Sequence, residues 1–219
     1  MRRAAHAPQR PDLPRELAAG EIGSLAHDVG LLELELTEAA LPDQRARGVR
    51  LETARLVRVD PSGSHLDELS AADVEFAGCN LANLESRRAD VRRATLSACR
   101  MTGIRVSEAT LSDVTVRGGR VDLASFASSR LTRVTFEGCL LAQTDFLDAR
   151  LDSVRFDDCD LRRADFRGAR LQRCEFRRCE LAELQGVENL RGAALEWPAI
   201  VELAGVWAAA LGVEVLDPD

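Results

Sequence analysis

From Leu51 to Leu181 the chain carries a hydrophobic residue at every fifth position, and of the 27 positions in that frame only Pro61, Ala71 and Ser86 are not large and apolar. Neither a helix, with its period of 3.6, nor a strand, with its period of two, produces such a pattern over so long a stretch. Two residues before each centre stands a second, smaller class, including Ala54, Val74, Ala94, Ala109, Ala124, Ser129, Ala149 and Ala164. All six cysteines, Cys79, Cys99, Cys139, Cys159, Cys174 and Cys179, belong to it. One large and one small inward side chain per five residues predicts a narrow interior that this pair fills. The other three positions are mostly polar and face outward.

Segments such as Ala149-Arg150-Leu151-Asp152-Ser153 and Ala164-Asp165-Phe166-Arg167-Gly168 resemble the A(D/N)LXX unit of pentapeptide-repeat proteins, and the resemblance covers about residues 34–185. It implies an all-β solenoid: a right-handed quadrilateral β-helix with four units per coil, one per side. A coil of 20 residues has independent support. Cys79, Cys99, Cys139, Cys159 and Cys179 recur on that period, with Gly119 in the gap, and so do Thr95, Thr115 and Thr135, Phe126, Phe146 and Phe166, and Phe136, Phe156 and Phe176. Residues 20 apart are predicted to stack at the ~4.8 Å of paired strands, like on like. Seven coils follow from residues 34–185, a rod of about 33 Å at that rise. Charges share the period. Asp73, Arg93, Asp113 and Arg133 form one alternating column, Glu68, Arg88 and Glu108 another, and Arg117–Glu137, Asp158–Arg178 and Arg155–Glu175 are further pairs. Exposed pairs of this kind contribute ~0.2–1 kcal/mol each. Their larger role is register, because a slipped coil brings like charges together.

Three regions follow. Residues 1–30, punctuated by Pro8, Pro11 and Pro14, read as a disordered or loosely ordered tail. Residues 31–185 form the β-helix, with Pro42 to Arg50 and Pro61 to His65 expected to bulge as loops. Residues 186–219 form a connector and a capping helix, with Pro198 in its first turn and Gly212 at its stop. A solenoid needs a cover on its last coil. Ile200, Leu203, Ala204, Trp207 and Leu211 are expected to supply it. Trp197, Val201, Val206, Trp207 and Ala208 then form a candidate dimer interface, since the helix is apolar nearly all round and a two-fold contact is the commonest cover. The resemblance implies the same, because several family members dimerise at this end.

Composition limits the chemistry. The chain has 219 residues and a net charge of −7, with every one of its 29 cations an arginine and no Tyr. No apolar run reaches the ~18 residues of a membrane helix, and no apolar stretch follows Met1-Arg2-Arg3, so a cytoplasmic protein that does not contact membrane is expected. The cysteine spacing contains no CxxC, which makes buried reduced thiols the expected reading. His6, His27 and His65 lie in the tail or in expected loops, and no phosphate loop, HExxH or GxSxG occurs. No enzyme activity, cofactor or metal is expected.

Two arginine belts, Arg87, Arg88, Arg92, Arg93 and Arg100, and Arg162, Arg163, Arg167, Arg170, Arg173, Arg177 and Arg178, lack interleaved aromatics, so direct nucleic-acid binding is not expected. Asp145, Asp148, Asp152, Asp157 and Asp158 form a candidate partner-binding acidic patch. The resemblance implies DNA mimicry for the best-known members, which bind DNA gyrase and lessen quinolone toxicity. Residues 51–185 sum to a charge of −1, whereas a DNA mimic presents uncompensated negative potential. A non-enzymatic interaction scaffold with an unknown protein partner is therefore the first reading. Binding to gyrase or topoisomerase, with protection from quinolone-type poisons, is the alternative.

Overall fold

The computed structural model describes residues 5–216. Short parallel strands stack into a four-sided β-solenoid of about nine coils. Every internal rung pairs with its neighbour at an offset of 20, as in Leu111 with Val91 and Leu131, or Phe156 with Phe136 and Phe176. Strands of eight residues, such as Arg50–Val57 and Thr110–Arg117, run across two sides. The side holding Arg45–Arg47, His65–Asp67, Glu85–Arg87 and Arg105–Ser107 continues as single bridges through Ser125, Asp145 and Asp165.

The sides turn at corners that recur every fifth residue, two positions after each centre. There the backbone is left-handed, with φ of 47–59° at 25 non-glycine residues. Side chains usually avoid this conformation. It persists here because each corner N–H is bonded to the next coil, as from Arg58 to Ala77 (2.8 Å) and Asp158 to Arg177 (2.9 Å). Stacking thus holds the turns, so corner and coil form together.

Centres and small positions point inward as the frame predicts, and Leu131, Leu141, Phe146, Val154, Phe156, Ala164, Phe166 and Leu181 are wholly buried. The phenylalanines form two columns from opposite sides. Phe126, Phe146 and Phe166 stack at 5.5 and 4.9 Å, and Phe136, Phe156 and Phe176 at 5.2 and 4.9 Å. Rings of the two columns meet edge-to-face at 5.8–6.2 Å, a favoured geometry for the aromatic quadrupole. Five cysteines are buried and Cys179 is half-buried. Each thiol donates to a carbonyl 23 residues earlier, for example Cys79 to Leu56 (3.3 Å) and Cys139 to Val116 (3.4 Å).

Several boundaries differ from the sequence expectation. The solenoid has about nine coils, not seven. At its N-terminal end Gly30–Leu32 pairs with Arg50–Glu52, and beyond residue 185 it gains a last rung where Ala193–Leu195 joins Cys174–Phe176. Pro42 to Arg50 and Pro61 to His65 do not bulge. Pro61 is buried at a centre, and Arg45–Arg47 and His65–Asp67 are strands; Pro61 omits the one N–H bond that Leu41 and Leu81 donate to the next coil in its column, and the bonds of Asp60 and Gly63 beside it keep the coil in place. The expected loose tail is laid along the rod from residue 5 onward, and Ala18–Ala19 pairs with Leu34–Glu35.

At the other end the five-residue frame stops at Gly186. Its φ is +73°, and a Cβ there would lie 2.4 Å from the Arg167 nitrogen. Only glycine fits where the Phe126–Phe146–Phe166 column would otherwise continue. A 3-10 turn, Val187–Leu190, follows. The expected single helix is two, α1 (Trp197–Glu202) and α2 (Ala204–Ala210). The break falls at Leu203, which is fully buried against the last coil. Ala199, Leu203, Val206 and Trp207 cover that coil, and the Trp207 indole donates to the Val187 carbonyl at 3.2 Å. Ala204 and Leu211, expected in the cover, are exposed instead.

Candidate functional site

The rod offers its surface rather than a cleft. The alternating corner column is built as expected: Arg93 grips Asp73 and Arg133 grips Asp113, each through Nε at 2.7 Å and a second nitrogen. Arg88–Glu68 (2.6 Å), Arg117–Glu137 (2.9 Å) and Arg155–Glu175 (3.4 Å) also form. Two pairings differ. Glu108 takes Arg87 (2.8 Å) rather than Arg88, and Arg178 binds Asp157 rather than Asp158, because a guanidinium on a long stem reaches sideways as well as along the column. The Arg133 guanidinium beside Asp113, and the Arg93 guanidinium beside Asp73, hold these carboxyls below the usual range. Arg162 and Arg167 do the same for Asp160 and Asp165.

The five acids of the candidate patch are not one patch. They lie on three successive sides of a single coil: Asp145 and Asp148 flank Phe146, Asp152 follows Leu151, and Asp157 and Asp158 follow Phe156. Asp152 is bound by Arg173 and Asp157 by Arg178. Asp145 accepts from the Ser125 hydroxyl at 2.9 Å, and Asp148 lies over Gly168 of the next coil. Most of the arginine belts are similarly occupied, with Arg92 on Asp90, Arg162 on Asp160, Arg163 on Glu183, Arg167 on Asp165 and Arg177 on Glu175. A departure that sequence reading missed is the in-register stack Arg130–Arg150–Arg170, three exposed like charges with no ion pair among the described residues. Its spacing of 20 was the available signal.

Among the described residues no three His, Cys, Asp or Glu side chains are grouped to hold a metal. Burial pushes the Cys174 thiol up to about 11. Neighbouring thiols, and then burial, raise Cys99 and Cys159. His65 faces Glu85 at 3.3 Å, and His27 Nδ1 accepts the Arg47 N–H at 3.1 Å.

Of the candidate dimer residues, Trp197 (75% exposed) and Val201 (60%) project outward. Val206, Trp207 and Ala208 are half-buried, and Val206 and Trp207 belong to the cover of the last coil. Leu211, Val213, Val215 and Leu216 extend the exposed apolar surface at this end.

No helix of the described residues is long and apolar enough to cross a membrane. Comparison with curated proteins finds no match. Among solved structures the chain is similar to HetL, a pentapeptide repeat protein involved in heterocyst differentiation regulation from the cyanobacterium Nostoc sp. strain PCC 7120, at 21% identity over 77% of this chain and 90% of that one, with a TM-score of 0.45. It is also similar to a trypsin-treated QnrB1 variant, a plasmid-mediated fluoroquinolone resistance protein, at 16% identity over 89% and 100%, with a TM-score of 0.44. A third similarity is to Rfr23 from the cyanobacterium Cyanothece 51142, at 17% identity over 56% and 91%, with a TM-score of 0.37. The family model described as a pentapeptide repeat region matches residues 69–146 and 122–185, the stretch in which the five-residue frame, the left-handed corners and the Phe columns coincide, and the chain belongs to the pentapeptide repeat family.

Proposed function

We propose that the protein is a non-enzymatic scaffold that binds other proteins, working as a homodimer joined at its C-terminal end. The observation that carries this reading is the exposure of Trp197, Val201, Leu211, Val213, Val215 and Leu216, six of the ten exposed large apolar side chains among the described residues, in the C-terminal segment. Exposed apolar side chains gathered at one end of a chain in this way mark an association surface. Light scattering at micromolar concentration is expected to give roughly twice the 23.9 kDa chain mass. Trp197→Glu with Val201→Glu is expected to give the monomer without loss of the fold. A monomeric wild-type chain refutes the dimer.

The alternative, a DNA mimic that binds gyrase, draws on the acids Asp145, Asp148 and Asp158, which carry no ion pair among the described residues. It is opposed by their distribution around the coil and by the arginines on Asp152 and Asp157. Titration into a gyrase supercoiling assay, with and without quinolone, decides it. No change at micromolar protein excludes the gyrase reading and leaves the scaffold reading intact.

A further inference from the structure

Asp113 and Glu175 are the two buried charged side chains among the described residues, and each accepts a hydrogen bond from the backbone of the N-terminal segment. Ala5 donates to Glu175 Oε1, Gln9 to Asp113 Oδ1 and Asp12 to Asp73 Oδ1, all at 3.0 Å. Acceptor numbers fall as donor numbers rise, so the segment runs against the direction in which the coils are wound. Between the segment and the rod is a gap of about 440 Å³: Ala7, Pro8, Arg10 and Pro11 line it on one side, and the Thr95–Thr115–Thr135 column with Arg117, Glu137 and Arg155 on the other.

The spacings match. Asp73 and Asp113 are 40 residues apart, hence two coils, or ~9.6 Å at the strand spacing. Gln9 and Asp12 are three residues apart, which in a polyproline II helix is one turn, ~9.3 Å at 3.1 Å per residue. Pro8, Pro11 and Pro14 recur at that interval and favour that helix, and each N–H donor to an aspartate directly follows a proline. The alternation of the corner column sets the acceptor spacing: Arg93 occupies the coil between Asp73 and Asp113 and Arg133 the coil after, and each holds the carboxylate of the coil before it. What Asp73 and Asp113 read is thus the backbone N–H of two residues three apart, each directly after a proline; Ala5, on Glu175, stands four residues before Gln9.

We propose that this face is a binding groove for an extended partner peptide with proline at every third residue, and that residues 5–14 are its resident, displaceable occupant. The inference rests on the protein-binding reading and assigns it a surface, but its test reads peptide affinity rather than oligomer mass or gyrase activity, so the two fail separately. The probe is a fluorescent synthetic peptide of residues 5–14, followed by anisotropy on the full chain. The variant Gln9→Pro with Asp12→Pro keeps the polyproline shape of the resident segment and removes both N–H donors.

A tethered competitor acts at millimolar effective concentration, so the variant is expected to bind the probe about tenfold more tightly than wild type. Adding Asp73→Ala and Asp113→Ala is expected to abolish that binding, while a peptide of arbitrary sequence without proline does not bind. In wild type the Gln9 and Asp12 amides are expected to exchange about tenfold more slowly than in an unstructured peptide. Equal probe affinity for wild type and variant, no binding to the variant at millimolar peptide, or unprotected Gln9 and Asp12 amides each overturns the proposal.

Discussion

The two halves of the rod share one backbone and differ in what fills it. From Phe126 to Phe176 the interior holds two interlocked phenylalanine columns with contacts at stacking distance throughout. At the equivalent positions nearer the N-terminus stand Leu66, Ser86 and Val106 on one side, and Leu56, Phe76, Leu96 and Val116 on the other. There the interior leaves an apolar cavity of about 130 Å³, bounded by residues that include Leu66, Ser86, Met101 and Val106. The lesson is that the hydrogen-bonded frame closes regardless of how well its core is filled. Coil geometry is set by corners and rungs, while the side chains in two of the four columns set the packing. In a solenoid, where each coil touches only its neighbours, such differences stay local.

The largest test removes packing from each half. Phe146→Ala is expected to cost about 3–5 kcal/mol, because flanking rings at 5.5 and 4.9 Å cannot close a ring-sized void. Leu66→Ala, beside space that already exists, is expected to cost less, near ~2 kcal/mol, the low end for such changes. Equal losses in chemical denaturation would break the comparison. The converse test fills the loose half. Val106→Phe extends the Phe126–Phe146–Phe166 column by one coil into the cavity and is expected to stabilise by about 1 kcal/mol. A loss of more than that would show that the cavity cannot accept a ring.

Protons probe the outside of the same contrast. Asp73 and Asp113, both on the loosely filled half, have folded pKa values below their unfolded ones because of Arg93 and Arg133. The unfolded chain therefore binds more protons in that window. The stabilisation is complete above the unfolded value of about 3.9 and is lost as pH falls through the lowered folded values. Melting temperature is expected to fall as pH drops below about 4, with a shallower slope in Asp113→Asn. An unchanged slope would remove this pair from the acid response. The smallest effect is chemical: a thiol reagent is expected to modify half-buried Cys179 first, and the other five cysteines only on unfolding. Rapid labelling of Cys79 or Cys99 in the native protein would show that the loose half opens readily.

Much of this was legible because a five-residue frame leaves few alternatives. The inward residues, the stacking of Phe156 on Phe136 and Phe176, and the Asp73–Arg93 and Asp113–Arg133 pairs follow from counting. The frame also puts the five acids on three sides, since they fall in three successive units, but it did not reveal that Arg173 takes Asp152 and Arg178 takes Asp157, because a guanidinium reaches sideways out of its column. Nor did it split the C-terminal apolar set. Leu203 and Trp207 became cover, and Trp197 and Val201 became surface, according to how the helix pair meets the last coil.

The sequence by itself determined the repeat, the coil length, the interior and the neighbours along each column, since all of these depend on separations of 5 and 20. Tertiary structure alone decided where the proline-punctuated N-terminus lies. Its three prolines at intervals of three carry no partner information. Only once the coils are stacked does Asp73 stand two rises from Asp113, at the pitch of a polyproline turn, with one half-buried and one buried carboxylate accepting from N–H donors that no local pattern could supply.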